Sequence, residues 1–465
     1  MTSITKENLI KINEVTWEIP KSFRSDMRVA ARIYASKEML DDMFEDKTLT
    51  QLVNLTTLPG VQKYALVMPD GHEGYGSPIG GVVATAAFRE GIISPGICGY
   101  DINCGVRLLL SEFSFKDIEQ HLDKLADNLY KEVPSGVGQG GRLKLNGREL
   151  DLVLKSGARR MVEMGYGEKE DLGKLESGGI LEGAEPSKVS ERAKARGRDQ
   201  LGTMGAGNHF VEVGKVEKIL DREWAEKFGL FEDQVTVLIH TGSRGLGHQI
   251  ATDYIRLMMA VMATYGISLP DRELAAAPFS SREGQDYFSA MQAGANFAWA
   301  NRQLITWEVR ESWKRAGLTG ELKILYDVAH NIAKVETYDN EELVVHRKGA
   351  TRAFPGEPVL IPGSMGTASY VLVGLEGSMR NTFGTSCHGA GREMSRTEAR
   401  RRVQGKPLKE KLEQEGVRVR AGSWSGLAEE APEAYKNVDE VVEVVEKAGI
   451  AKRVARLKPI AVVKG

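Results

Sequence analysis

The chain has 465 residues, of which 42% are hydrophobic and 27% charged, with a formal net charge of −2. This is the composition of a globular protein with enough chain to bury a large core. It excludes a general attraction for polyanions, so any nucleic-acid contact has to be a local patch. Three cysteines, Cys98, Cys104 and Cys387, are too few for a disulfide framework and read as reduced thiols. The N-terminal residues lack a signal pattern, and no apolar run approaches the roughly 18 residues of a membrane helix, so the expectation is a cytoplasmic protein with no membrane partner.

Residues 23–58 alternate charged and apolar positions and read as helix with a turn. KYALVMPD (63–70) is an apolar run ending in Pro-Asp, a strand feeding a loop. GGVVATAAF (80–88) and GVRLLLSEF (105–113) predict two further strands, and 115–133 carries apolar residues at helical spacing. From 134 to 200 the chain turns polar and reads as a mobile insertion with one or two helices. QVTVLIHTGSRG (234–245) predicts a buried strand ending in a histidine, and 250–316 predicts helix. LKILYDVAHNIAKVE (322–336) is again strand, histidine, turn. PVLIPGSMGTASYVLVG (358–374) alternates strand and turn, and the tail RVARLKPIAVVKG closes with a strand. Strands and helices mix without a βαβ rhythm, which predicts an α+β fold, a single large domain over 1–465 with mixed sheets and surrounding helices.

Glycine is abundant, 51 residues, and it clusters among His, Asp, Asn, Arg and Cys. Such loops bring backbone close to a ligand. Five of the eight histidines, His72, His209, His240, His330 and His388, stand in these loops or at strand ends. His248 and His346 lie just downstream of such segments, and His121 sits in an amphipathic helix and reads as surface. One histidine at a strand end is more often a structural residue; several in the same context point to metal binding or proton transfer. Cys104, in GYDINCGVR with Asp101 three residues before it, adds a thiolate and a carboxylate to the imidazoles, a transition-metal donor set. No zinc-finger spacing occurs, so the site must be assembled from distant segments, as catalytic centres are. His388, in TSCHGAGREMSR, could ligate, move a proton, attack or simply pack. GAGNHFVEV places Asn208 and Glu212 near His209, and no P-loop motif is present.

The blocks MPDGHEGYGSPIGG, GYDINCGVRLL, GTMGAGNHFVEV, IHTGSRGLGHQI, YDVAHNIAK, HRKGATRAFPG, IPGSMGTASYVL, SCHGAGREMSR, EEAPEAYKNVDEVV and LKPIAVVKG run in order from about residue 68 to the C-terminus. Together they resemble the RtcB-type RNA-splicing ligases. Glu73 and Ser77 stand where relatives often carry Gln and Phe.

The resemblance implies a metal and nucleotide site in a central cleft. It implies that His388 is the nucleophile that takes GMP from GTP, and that two manganese ions share Cys104, one with Asp101 and His209, the other with His240 and His330. It implies a GMP site built from Asn208, His209, Phe210, Val211 and Glu212, from His330 and Asn331, and from Pro362, Gly363, Ser364 and Met365. Ser369, His388, Gly389, Ala390, Gly391, Tyr435 and Lys464 would complete it. Softness alone would suggest zinc; manganese comes from the resemblance. The implied reaction joins an RNA 2′,3′-cyclic phosphate or 3′-phosphate end to a 5′-hydroxyl end, as in tRNA splicing or RNA repair. The implied partners are RNA such as tRNA halves and the activator archease, with the ligase itself a monomer.

RNA needs local positive charge. The basic runs RAKARGR (192–198), HRKGATR (346–352) and SRTEARRR (395–402) are the candidates, each of which could equally be a solvated face. HRKGATR stands first, because its Gly and Thr suggest a loop. Lys348 and Arg352, with Arg244 and Arg392 near the metal and nucleophile positions, are the expected RNA or phosphate contacts. The rivals are a metal-dependent phosphodiesterase or nucleotidase without a covalent nucleotide, and a non-enzymatic RNA-binding protein with a structural metal.

Overall fold

The computed structural model describes residues 4–136 and 138–465. Two mixed sheets flanked by helices form an α+β architecture. The first sheet runs, in spatial order, Ile10–Lys11, Thr16–Ile19, Ala30–Tyr34, Tyr64–His72, Ile79–Ala86, Glu341–Lys348 and Asn331–Tyr338. The second runs Lys323–Ala329, Gly105–Ser114, Gln234–Thr241, Phe210–Ile219, Ala451–Lys464, Ser369–Gly374 and Pro358–Ile361, with Arg418–Ala421 pairing parallel to the end of Ala451–Lys464. Each sheet buries its apolar side chains in its own core, one around Ile33, Leu66, Val83 and Val345, the other around Leu108, Val213, Ile239 and Trp299. A single residue, His330, separates Lys323–Ala329 in the second sheet from Asn331–Tyr338 in the first.

The strands expected from the apolar runs at 63–70, 80–88, 105–113, 234–241 and 358–374 are present. The expectations at 23–58 and 250–316 need correction. Residues 23–58 contain the strand Ala30–Tyr34 ahead of the helices Lys37–Phe44 and Thr48–Leu55. The strand pairs in parallel with Tyr64–His72, and this long-range partner overrides the local helical reading. Helix does not run through 250–316: Arg244–Val261 and Arg282–Ala316 are separated by a turn with Gly266 at φ 66° and by Pro270.

Within the stretch 134–200, read as a mobile insertion, the helix Gly147–Glu163 and the residues Leu175, Ala184, Val189 and Ala193 pack onto the second core. That helix lies along Arg282–Ala316 and buries Leu150, Val153, Leu154, Ala158 and Met161. Leu150, Val153 and Leu154 follow i, i+3, i+4 on one face, and a kink at Gly157 (φ 55°) precedes the last turns that bury Ala158 and Met161; the many charged residues of the outer face conceal these apolar positions. Burying the larger of these side chains is worth about 1.5–3 kcal/mol each. Glu176 ties the same stretch to the first sheet. Its carboxylate accepts from Lys334 Nζ at 2.5 Å and from the Ala329 amide at 2.8 Å, with Arg352 Nε 4.0 Å away.

Burial opposes ionisation of Glu176, but Lys334 and Arg352 outweigh it and hold the carboxyl down at about 2, against 4.5 for a free glutamate. A carboxyl depressed in the fold contributes stability that is complete above its unfolded value and is lost as pH falls towards its folded one. Glu176→Gln should therefore destabilise the protein at neutral pH by about 3–5 kcal/mol, because it leaves a buried lysine unpaired. Denaturant unfolding of both proteins should show this gap shrinking between pH 4.5 and pH 2. A gap independent of pH would rule out the ion pair as its source.

Candidate active site

Four neighbouring strands of the second sheet end at the same edge. Lys323–Ala329 runs into His330, Cys104 precedes Gly105–Ser114, His240 is the penultimate residue of Gln234–Thr241, and His209 precedes Phe210–Ile219. The antiparallel register aligns these ends, with Gly105 opposite both Ala329 and Thr241 and Phe210 opposite His240. Five side chains thereby meet. Cys104 Sγ lies 3.4 Å from His209 Nε2 and 3.4 Å from His240 Nε2. His240 Nε2 lies 3.4 Å from His330 Nε2, and Asp101 Oδ2 lies 3.0 Å from His209 Nε2.

The donors form two groups that share Cys104, namely Asp101–Cys104–His209 and Cys104–His240–His330, with the donor atoms of each within 4.8 Å of one another. These residues fit bound cations. A neutral imidazole has one N–H, so this ring of nitrogens and sulfur cannot be satisfied by mutual hydrogen bonds alone. His209 Nδ1 lies 3.0 Å from the Met204 carbonyl, and with Nδ1–H donating there Nε2 faces the cluster as a ligand nitrogen. Burial, helped by Asp101, pushes the Cys104 thiol up, and burial holds the His240 and His330 imidazoles neutral. Cation binding would accordingly release the thiol proton.

Behind the cluster sits a buried polar hub. Arg302 Nε and Nη2 donate to Asp327 at 2.8 and 2.9 Å. Its Nη1 donates to the Asn103 and Thr241 carbonyls at 2.8 and 2.9 Å, and Nη2 also reaches Asn103 Oδ1 at 3.1 Å. Asp327 further accepts from Arg107 Nε at 2.8 Å and Trp299 Nε1 at 3.0 Å. Asn103 adjoins Cys104, Thr241 adjoins His240, and Asp327 lies on the strand that delivers His330. One guanidinium thus spaces three ligand-bearing segments.

His388 follows the short strand Thr385–Cys387 and faces the cluster, its ring 4.8 Å from that of His330. Asp70, fully buried in the first sheet, places Oδ2 2.6 Å from His388 Nδ1 and accepts the His388 amide at 3.1 Å. With Nδ1–H given to Asp70, Nε2 keeps its lone pair, the arrangement of an activated nucleophile. Asp70 is a site residue that sequence reasoning missed. Its only local signal is its place in MPDGH beside a glycine-rich loop.

A cavity of about 240 Å³ opens beside His388. Asp101, Cys104, Asn208, Phe210, His240, His330, Asn331, Pro362, Gly363, Ser364, Met365, Gly389, Ala390, Gly391, Arg392, Tyr435 and Lys464 line it, as do His72, Arg396 and Glu430. Val211 is core, Ser369 Oγ accepts the Gly363 amide at 3.1 Å and so shapes the turn, and Glu212 lies buried beneath the wall. Glu212 and Lys464 are diagonal neighbours on adjacent strands, since Phe210 opposes Lys464 and Glu212 opposes Val462. Burial pushes the Glu212 carboxyl up to about 8 against the pull of Lys464, and burial lowers Lys464 to about 8. Glu430 was also missed: it is buried and pairs with Tyr435, Arg392 and Lys464.

The basic residues divide. HRKGATR is strand rather than loop, and its charges are spent inside the protein. Arg347 pairs with Glu336, and the buried Lys348 donates to the carbonyls of Tyr75, Ser77 and Gly96. Arg352 donates to Glu357 and to the Tyr326 hydroxyl. Lys348 and Arg352 are therefore removed from the RNA candidates. Arg392 lines the cavity but is held by Glu430, Tyr435 and the Glu429 carbonyl. Arg244 Nη1 comes within 3.1 Å of His209 Nδ1, in space that exists because Gly205, at φ 93°, has no side chain. In the other basic runs, Arg396 and Arg400 face Glu429 and Glu430, and Lys194 pairs with Asp151. His121 is half-buried on the Ala316 carbonyl, and His346 is wholly buried in the first sheet.

A cysteine shared between two groups of candidate metal donors, and a histidine oriented by a buried carboxylate at the edge of a cavity, together define a candidate catalytic centre. The family model for the tRNA-splicing ligase RtcB matches residues 51–465. A tRNA-splicing ligase RtcB from Thermococcus kodakarensis is 55% identical over 98% of this chain and 99% of its own length. Those of Archaeoglobus fulgidus and Pyrobaculum aerophilum are 52% and 49% identical over the same shares. The chain belongs to the RtcB family.

Arg302→Lys keeps a charge but not the fork that spaces the ligand segments. Its metal affinity should fall roughly 10- to 100-fold, as for other outer-layer partners of metal ligands. Titration with cobalt, read by its thiolate charge-transfer absorbance, measures this, with far-ultraviolet circular dichroism as the control for folding. Unchanged affinity in a folded variant would show that the hub does not set the ligand spacing.

Proposed function

We propose that the protein is a GTP-dependent RNA ligase that joins a 2′,3′-cyclic phosphate or 3′-phosphate end to a 5′-hydroxyl end, in tRNA splicing or RNA repair. The observation that carries the reading is the His388–Asp70 pair, which leaves Nε2 free at a cavity walled by two groups of metal donors. Two divalent cations, manganese by family resemblance, would be held by Asp101, Cys104 and His209 and by Cys104, His240 and His330, and when bound supply positive charge at the transferring phosphoryl oxygens.

His388 Nε2 attacks the α-phosphorus of GTP; the N–P bond forms, the Pα–O bond to the β-phosphate breaks, and pyrophosphate leaves. Asp70 orients the ring and stabilises its positive charge. An RNA 3′-phosphate, produced by opening the cyclic phosphate with water, then attacks the same phosphorus and breaks the P–N bond, giving an RNA–ppG end. The 5′-hydroxyl of the second RNA attacks the 3′-phosphate, loses its proton and expels GMP.

The loop Gly389–Gly391 and the turn Pro362–Met365 supply backbone to the phosphates, with Asn208, His330 and Asn331 nearby. Phe210, Tyr435 and Lys464 bound the nucleoside end. Glu212, ionised on binding, accepts from the N1–H and N2–H₂ of guanine, donors that adenine does not offer in that pattern, and this accounts for GTP over ATP. Arg244 and Arg392 are the remaining phosphate contacts. Archease as activator and a monomeric ligase follow from the resemblance, and multiple-turnover ligation with and without archease tests the first.

Incubation with α-³²P-GTP and manganese, followed by a denaturing gel, should label the wild-type protein and not His388→Ala. Asp70→Asn should label at least about 100-fold more slowly, since the ring loses its orienting carboxylate. Labelled His388→Ala would move the nucleophile elsewhere. No label in wild type, together with GTP-independent hydrolysis of phosphodiesters, would instead favour a metal-dependent phosphodiesterase.

A further inference from the structure

Three rings form a ladder beside Asp101, which Tyr100 directly precedes in the chain. Tyr100 stacks on His248, with centroids 4.8 Å apart and planes at 25°, and Tyr75 meets Tyr100 edge-on at 5.3 Å and 64°. His248 is exposed and the tyrosines are half-exposed. None of the three is used by the guanylylation chemistry above. Tyr75 and Tyr100 are partly buried against the second core, while His248 is open to solvent, so the rings are held in place and still reachable. Lys348 donates to carbonyls of both glycine-rich loops, those of Tyr75 and Ser77 in one and of Gly96 in the other, and so fixes the loops that carry Tyr75 and Tyr100. Asn331 Nδ2 donates to the Asp101 carbonyl at 3.2 Å and packs under Gly99, so the segment that carries Tyr100 is anchored to the metal ligands. His248 stands four residues after Arg244, in the first turns of the helix Arg244–Val261, which Arg244 opens with a left-handed φ of 56°.

We propose that the Tyr75–Tyr100–His248 ladder is a stacking platform for an unpaired base of the phosphate-bearing RNA strand, next to the end that reaches Arg244 and the metal centre. Single-stranded RNA is held by such combinations of flat rings and nearby cationic groups, and every base has a face to offer, so the platform takes RNA without demanding a sequence. Because the rings are preorganised, binding costs little ordering. The proposal rests on the ligase reading, and its test separates the two.

The probe is a short RNA ending in a 3′-phosphate with 2-aminopurine as its last base, added with manganese to the full-length protein. Wild type should quench the fluorophore on binding. His248→Ala and Tyr100→Leu should bind roughly 10- to 100-fold more weakly and without quenching, while labelling by α-³²P-GTP stays at the wild-type level. His248→Phe should restore both binding and quenching. An oligonucleotide lacking its terminal base should bind wild type and variants alike. Equal affinity and equal quenching in wild type and variants would overturn the platform, as would variants that lose GTP labelling, since the rings would then serve the metal centre. Failure of the ligase reading shows separately, as no labelling of wild type, and leaves the quenching result readable.

Discussion

The guanidinium of Arg302 is the point on which the spacing of the centre depends. It is fully buried and spends its donors on Asp327, on Asn103 and on the carbonyl of Thr241. Taking an arginine and an aspartate out of water costs several kcal/mol per ion, and only near-complete hydrogen bonding offsets it. Asp327 meets that condition with contacts from two arginines and Trp299. What the hub yields is geometry: Asn103, beside Cys104, adopts φ 53°, an uncommon conformation for a residue other than glycine, and the surrounding hydrogen bonds hold it there.

From this hub the two sheets make complementary contributions. The second sheet supplies donors from four adjacent strand ends, so a shift of register by one residue would turn His240 away from the cluster. The first sheet supplies Asp70 and, through it, the orientation of His388. His330 stands where the chain passes from one sheet to the other, which places it against both the cluster and the His388 ring. The long helix Arg282–Ala316 carries Arg302 and Trp299 against the centre and packs along the helix Gly147–Glu163. The polar stretch 134–200 is therefore part of the support.

Much of the fold was legible because apolar runs such as VTVLIH and KILYDVAH announce buried strands without help from neighbours. The helix at 147–163 was harder to see, since a dense charged face masks its apolar positions. The strand Ala30–Tyr34 was misread because its partner lies beyond an intervening pair of helices. Among site residues, His209, His240, His330 and Cys104 stand out by context, whereas Asp70, Glu430 and Arg302 look like ordinary charged residues until their partners are known. Lys348 shows the converse: charge is visible in a sequence, but whether it faces water or three carbonyls is not.

The sequence by itself determined the kinds of donor available, the strand ends at which they appear, and the ordered blocks that place the chain among the RtcB ligases. Those are local properties, carried by residue type and short-range spacing. Only the tertiary structure decided that Arg302 spaces the segments that carry the donors, that His388 donates its Nδ1–H to a carboxylate 318 residues away, and that Lys348 staples loops instead of meeting RNA. Each of these depends on strand register and burial, which arise from contacts between distant segments and leave no trace in the spacing of residues along the chain.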